Sequence, residues 1–141
     1  MPVNMPGLSV CTKIIAKNCN MKKVVLIEDS KVLGNALCGA LKVDGIEVHW
    51  AENGVAGVQL AKQIKPNLVL LDLMLPKLSG FDVCKLLKTD NATWRIPVVI
   101  MSTLSDPESR DRATEAGADY FIPKPYDLAA TLAEIKKLLQ M

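Results

Sequence analysis

Apolar residues along the chain gather in short unbroken runs, set between amphipathic segments, and each run stops on a polar group. Lys23-Val24-Val25-Leu26-Ile27 ends on Glu28 and Asp29, Asn67-Leu68-Val69-Leu70-Leu71 on Asp72, and Ile96-Pro97-Val98-Val99-Ile100-Met101 on Ser102. Runs of this kind, with no polar alternation, predict strands covered on both faces, as a parallel sheet between two helical layers requires. Two other strands read differently. Ile46-Glu47-Val48-His49-Trp50 alternates, which predicts one wet face at a sheet edge, and Asp119-Tyr120-Phe121-Ile122 is a short mixed run before Pro123-Lys124-Pro125.

The segments between the runs carry helical periodicity. Val32, Leu33, Ala36, Leu37, Ala40 and Leu41 form a stripe that stops near Asp44-Gly45, and a second helix from Asn53-Gly54 reaches Ile64 before Pro66. A third, from about Phe81 to Asp90, is predicted to bury Val83, Leu86 and Leu87. Asp106-Pro107 reads as the N-cap and first residue of a fourth helix, which is short of large apolar residues and so only shallowly buried. The last helix, capped by Asp127, would bury Leu128, Leu132, Ile135 and Leu139. The stretch from Leu73 to Gly80 is a loop, since Pro76 and Gly80 punctuate it.

Five strands alternating with five helices predict an α/β fold with a single doubly wound, five-stranded parallel sheet. Short right-handed connections, with the second and fifth strands at the edges, give the order 2-1-3-4-5 and a switch point between the first and third strands. Ligands of such sheets bind outside the carboxyl ends of the strands at that point. Glu28, Asp29 and Asp72 are therefore expected to converge.

Composition narrows the field. A chain of 141 residues is one domain, able to bury a core without staples. A formal net charge of +2 suggests neither a nucleic-acid-binding stripe nor a disordered tail. Cys11, Cys19, Cys38 and Cys84 match no zinc spacing, so free thiols in a reducing cytosol are the simplest reading. No apolar run approaches the roughly 18 residues of a membrane span. Residues 1–21 read as a leader, frayed or derived from an upstream start codon, with the folded unit at 22–141. Lys13 comes after the first apolar residues and Val10 is bulky before Cys11, which disfavours secretory and lipoprotein signals.

Three carboxylates a few ångströms apart repel, and one would take up a proton unless a cation sits among them. All-oxygen ligation, beside a loop able to offer a backbone carbonyl, suits Mg²⁺. One strand-end aspartate would be more simply a solvated or capping acid, but three at the switch point favour a divalent-metal site. Ser102 and Lys124 lie on the same rim. Alone, either is a helix-entry residue or a surface charge; together they would offer donors and charge to a tetrahedral anion.

Glu28-Asp29, Asp72 followed by Met74, Pro76 and Gly80, then Ser102, and finally Lys124-Pro125 stand in an order and at spacings that resemble the receiver domain of bacterial two-component response regulators. The resemblance runs from about Lys22 to Leu139. It implies that Asp72 is the phosphoacceptor, charged by a phosphohistidine on a sensor histidine kinase or histidine phosphotransfer protein. It further implies that Asp29, Asp72 and the Met74 backbone carbonyl bind Mg²⁺ directly and Glu28 through water, and that Lys124 pairs with Asp72 or its phosphate. The Lys124-Pro125 bond is expected to be cis. Such a protein is not a turnover enzyme, although it assists its own phosphorylation and dephosphorylation.

By the same resemblance, Ser102 is drawn to the phosphate and Phe121 swings inward, changing the face made by the fourth helix, fifth strand and fifth helix. That face would dock a downstream protein target, without direct nucleic-acid or membrane contact, in the cytoplasm. A homodimer that appears only on phosphorylation would mark it as a self-association surface. Against this, an aromatic such as Phe121 on an inward strand is more often plain core. Two positions depart from the family pattern: phenylalanine rather than tyrosine at 121, and Thr103 where alanine or glycine is common. Thr103 would overhang the site and slow access, so Thr103→Ala is expected to change the rate of phosphate loss; equal rates in the two proteins would reject this. The chain reads either as a stand-alone receiver or as an excised piece of a longer regulator. A receiver-like module that is never phosphorylated is disfavoured by the complete acidic set. A nucleotide-binding enzyme is disfavoured because no Gly-rich loop follows the first strand.

Overall fold

A computed structural model describes residues 21–75, 78–102, 106–123 and 128–140. The elements alternate as β1 (Lys23–Ile27), α1 (Lys31–Val43), β2 (Glu47–Ala51), α2 (Gly54–Ile64), β3 (Leu68–Asp72), α3 (Gly80–Thr89), β4 (Val98–Ser102), α4 (Pro107–Glu115), β5 (Tyr120–Pro123) and α5 (Leu128–Leu138). All strand pairs are parallel and the sheet order is β2-β1-β3-β4-β5, as the hydrophobic pattern predicts.

Alternate residues of each central strand go to opposite faces, which makes two cores from one sheet. Val25, Ile27, Val69, Leu71, Val98 and Ile100 pack with Val58 and Ala61 of α2, Val83, Cys84 and Leu87 of α3, and Ala113 of α4. Val24, Leu26, Leu68, Leu70, Val99 and Met101 pack with Leu37 and Leu41 of α1 and Ile135 of α5. Helix starts are fixed by side-chain caps. Ser30, Asn53, Ser79 and Asp106 accept from the backbone N–H of Leu33, Ala56, Asp82 and Ser109 respectively. The expected Asp127 cap lies outside the described residues, as do the leader up to Asn20 and its two cysteines.

Three expectations change. The stripe on α1 is narrower than its apolar residues imply: Val32 is 84% exposed and Ala36 is exposed, while Gly34, Leu37 and Leu41 face the sheet. On α3, Leu86 is 47% exposed, and Cys84 takes the inward place beside Val83 and Leu87. A helix lying on a flat sheet covers about a third of its circumference, so adjacent apolar positions cannot all be buried. The polar face of β2 is also drier than its alternation implies. Glu47 and His49 hydrogen-bond to each other at 2.5 Å, with side chains 14% and 11% exposed.

α4 is held in an unusual way. Ala113 is its one buried residue among those described, and two guanidinium groups lie over aromatic rings, Arg110 at 4.9 Å from the Phe121 centroid and Arg112 at 4.0 Å from Phe81. At the opposite end of the sheet, Asp119 accepts from the Val98 N–H at 2.9 Å and pairs with Lys88 at 2.7 Å, while Lys88 also donates to the Ile96 carbonyl at 2.8 Å. This knot ties the amino-terminal ends of β4 and β5 to α3.

Burial pushes the Cys84 thiol up to about 11, against a smaller opposing pull from Lys88. The thiolate, which is the reactive form, is scarce at neutral pH. Iodoacetamide at pH 8 is therefore expected to leave Cys84 unmodified in the native protein and to label it on unfolding, as peptide mass mapping would read. Rapid native labelling would show that α3 opens far more readily than its packing implies.

Candidate functional site

The site forms where β1 and β3 end side by side. Their register pairs Ile27 with Leu71, so Glu28 and Asp72 are the next residue along on each strand. One carboxylate oxygen from each of Glu28, Asp29 and Asp72 lies within 4.8 Å of the others. Glu28 is 1% exposed and Asp72 5%, whereas Asp29 is exposed. Like charges this close repel one another, and a cation among them would relieve that repulsion.

The backbone around the cluster is closely organised. The Ser30 N–H donates to Glu28 Oε2 at 3.2 Å, and the Met74 N–H donates to Asp72 Oδ1 at 3.2 Å. The Glu28 main chain is held on both sides by β2, its N–H donating to the Ala51 carbonyl at 3.0 Å and its carbonyl accepting from the Trp50 indole at 2.8 Å. Beneath the β3–α3 loop, Gly80 donates to the Leu73 carbonyl at 3.0 Å. A Cβ on Gly80 would lie 2.4 Å from the Asp72 carbonyl oxygen and 2.5 Å from Leu73 Cα. Glycine is required here by space alone.

Ser102 closes β4 on the same rim, fully buried and one residue beyond Met101, the register partner of Asp72. Pro123 sits beside Ser102 in the β4–β5 register. The next residue, Lys124, lies outside the described residues, together with the Lys124-Pro125 bond, Pro76 and Thr103. Phe121 is half-buried on β5, packed on the core beneath α4 with Arg110 over its ring. The structure thus brings together Glu28, Asp29 and Asp72, with Ser102 on the neighbouring strand end. What the sequence reading missed is the part played by Trp50 and Gly80, which carry no charge and lie outside the acidic pattern. An indole two residues before a turn, and a glycine at a helix start, were the available signals.

All-oxygen donors, two of them buried beside each other, fit a small hard cation such as Mg²⁺. The family model described as response regulator receiver domain matches residues 24–136, and the chain belongs to that family. Phosphorylation-dependent signalling is general to its members.

Among curated proteins, the DNA-binding dual master transcriptional regulator RpaA of Synechocystis is 35% identical over 85% of this chain and 50% of its own length. Among solved structures, the receiver domain of a signal transduction histidine kinase from Syntrophus aciditrophicus has a TM-score of 0.78 at 30% identity, covering 84% of this chain and 90% of that one. A receiver domain of the Pseudomonas aeruginosa sensor histidine kinase PA1611, with magnesium coordinated in its active site cleft, shares the fold with a TM-score of 0.78 at 20% identity, over 86% of this chain and 99% of that one. The chain spans about half the length of the curated relatives it matches. Among the described residues, no helix is long and apolar enough to cross a membrane.

Proposed function

We propose that this chain is a phosphorylation-activated receiver which takes a phosphoryl group onto Asp72 from a phosphohistidine of a sensor kinase or phosphotransfer protein. The observation that carries the reading is the meeting of three carboxylates at the switch point, two of them withdrawn from water. A carboxylate oxygen of Asp72 attacks phosphorus, the P–N bond to the donor imidazole breaks, and its electron pair returns to the ring. The product is an aspartyl phosphate.

Asp29, Asp72 and the Met74 carbonyl are assigned to bind Mg²⁺, with Glu28 acting through water. The ion's contribution when bound is to neutralise charge on the carboxylates and on the equatorial phosphoryl oxygens. The chain's own groups do the rest. The Met74 N–H fixes one oxygen of Asp72, and the Ser102 hydroxyl and Lys124 ammonium are assigned to the transferred phosphate. Ser102 moving toward that phosphate, with Phe121 turning inward, is the assigned route to the α4–β5–α5 face. Phe121 would then leave the Arg110 guanidinium, and a stack of this kind is worth about 0.5–1 kcal/mol at an exposed site, small enough for a phosphate to overcome.

Water in line with the acyl phosphate would end the signal, at a rate to which Thr103 contributes. In this reading the cell compartment is the cytoplasm and the phosphorylated face meets a downstream protein. The half-length match to proteins named as transcriptional regulators favours a second arrangement, in which the receiver controls an attached DNA-binding portion. Incubation with Mg²⁺ and acetyl phosphate tests the core of the proposal. Intact mass is expected to rise by one phosphoryl group, an increase that EDTA prevents and alkali reverses; a protein that stays unmodified with Mg²⁺ present would refute it.

A further inference from the structure

The corner that carries Glu28 and Asp29 turns from β1 into α1 within three residues, and it is braced by a side chain from the edge strand. Regular β1–β2 pairing ends at Ile27 opposite Ala51. Beyond it the Glu28 N–H still finds the Ala51 carbonyl at 3.0 Å, but β2 then bends away at Glu52 and Asn53 to cap α2. The Trp50 indole N–H donates to the Glu28 carbonyl at 2.8 Å and takes the place of the next rung.

The ring itself is seated on the other side of the corner. A Cβ added to Gly34, in the first turns of α1, would lie 2.1 Å from Trp50 Cζ2 and 2.5 Å from Cε2, so the indole rests directly on helix backbone. One side chain therefore touches the acidic pair itself, at the Glu28 carbonyl, and the helix that follows it, at Gly34. We propose that Trp50 is a positioning residue for the cation site, holding the Glu28–Asp29 corner through its indole N–H in the arrangement that Mg²⁺ binding needs. The inference rests on the reading of the acidic cluster as a Mg²⁺ site. Trp50 meets no ligand atom; it acts through the Glu28 backbone.

Mg²⁺ is a strict test of such bracing, because it demands near-octahedral geometry at about 2.0–2.1 Å and tolerates little ligand drift. Groups that orient ligands from behind typically change metal affinity by about ten- to a hundredfold when removed. Here the brace acts on a main chain that Ala51 also holds, so a smaller effect is expected. Core packing alone would predict a different pattern, in which the shape of the ring matters and its N–H does not.

The deciding experiment exchanges the indole at position 50 for the isosteric benzothiophene, which preserves ring area and deletes the donor, with Trp50→Phe alongside. Calorimetric Mg²⁺ titration is expected to show a dissociation constant raised about five- to tenfold in the benzothiophene protein, with the metal-free melting temperature little changed. At saturating Mg²⁺, phosphorylation by acetyl phosphate should proceed at the wild-type rate. Gly34→Ala, which displaces the ring and with it the N–H, should weaken Mg²⁺ binding too; if the exchange at position 50 prevents folding, unchanged affinity in Gly34→Ala would overturn the inference. Unchanged affinity in the benzothiophene protein would overturn the inference while leaving the proposed function standing. A wild-type protein that binds no Mg²⁺ would overturn both.

Discussion

Asp72→Asn is expected to abolish phosphoryl uptake from acetyl phosphate while making the metal-free protein more stable. The two effects have one origin. The amide oxygen can still accept from the Met74 N–H, as Asp72 Oδ1 does at 3.2 Å, so local geometry is kept. What the substitution removes is the proposed nucleophile and one of three like charges whose oxygens lie within 4.8 Å of each other. An uncharged carboxamide does not attack phosphorus at a useful rate, and intact mass should stay constant over hours in acetyl phosphate with Mg²⁺. Relief of repulsion between mostly buried carboxylates should stabilise the variant by about 1–2 kcal/mol, a rise of several degrees in melting temperature. Added Mg²⁺, which should stabilise wild type through binding, should do far less for the variant. A variant that gains mass like wild type would move the phosphoacceptor elsewhere. One that melts below wild type without metal would show that the favourable contacts of the Asp72 carboxylate outweigh its repulsion from Glu28 and Asp29.

Gly80→Ala is expected to be the most damaging single methyl in the described structure. The added carbon would meet backbone atoms of Asp72 and Leu73 at 2.4 and 2.5 Å, and backbone cannot rotate out of the way as a side chain can. The start of α3 must shift, straining the Gly80 N–H bond to the Leu73 carbonyl and the seat of Asp72 itself. A loss of about 3 kcal/mol is expected, at the upper end for overpacking, read as a lower urea midpoint at unchanged slope. Phosphorylation and Mg²⁺ affinity should fall with it, because the displaced atoms belong to the strand end that carries Asp72. Gly39→Ala provides the contrast. Nothing lies within 4 Å of a Cβ there, mid-helix in α1, so that change should stabilise by about 0.5–1 kcal/mol. If Gly80→Ala is as stable as wild type, the loop does not approach α3 as closely as described.

The strands were legible because burial on both faces leaves an unambiguous mark: Val69, Leu70 and Leu71 could belong only to an interior strand, and the polar residue after such a run fixes its rim. Edge positions were legible for the complementary reason, since β2 and β5 carry polar groups that an interior strand could not. Side-chain burial on helices was less so. Val32 and Leu86 obey helical spacing yet face solvent, because the sheet, whose width the local sequence does not encode, decides how much of each stripe is covered. The acidic cluster could be anticipated from strand order, since Glu28, Asp29 and Asp72 all end strands flanking one switch point. The bracing of that cluster could not. The Trp50 hydrogen bond and the Gly80 contact depend on distances across chain turns, and neither indole nor glycine advertises its partner.

The Lys88–Asp119 knot has a mechanical consequence. It clamps β4 and β5 together at the end of the sheet remote from the acids, so a disturbance at the Ser102 rim would meet more resistance to sliding the two strands along their axes than to turning them about that anchored end. Such a lever has its smallest travel in the clamp and its largest at the tip, where α4 hangs from guanidinium stacks rather than from a greasy seat.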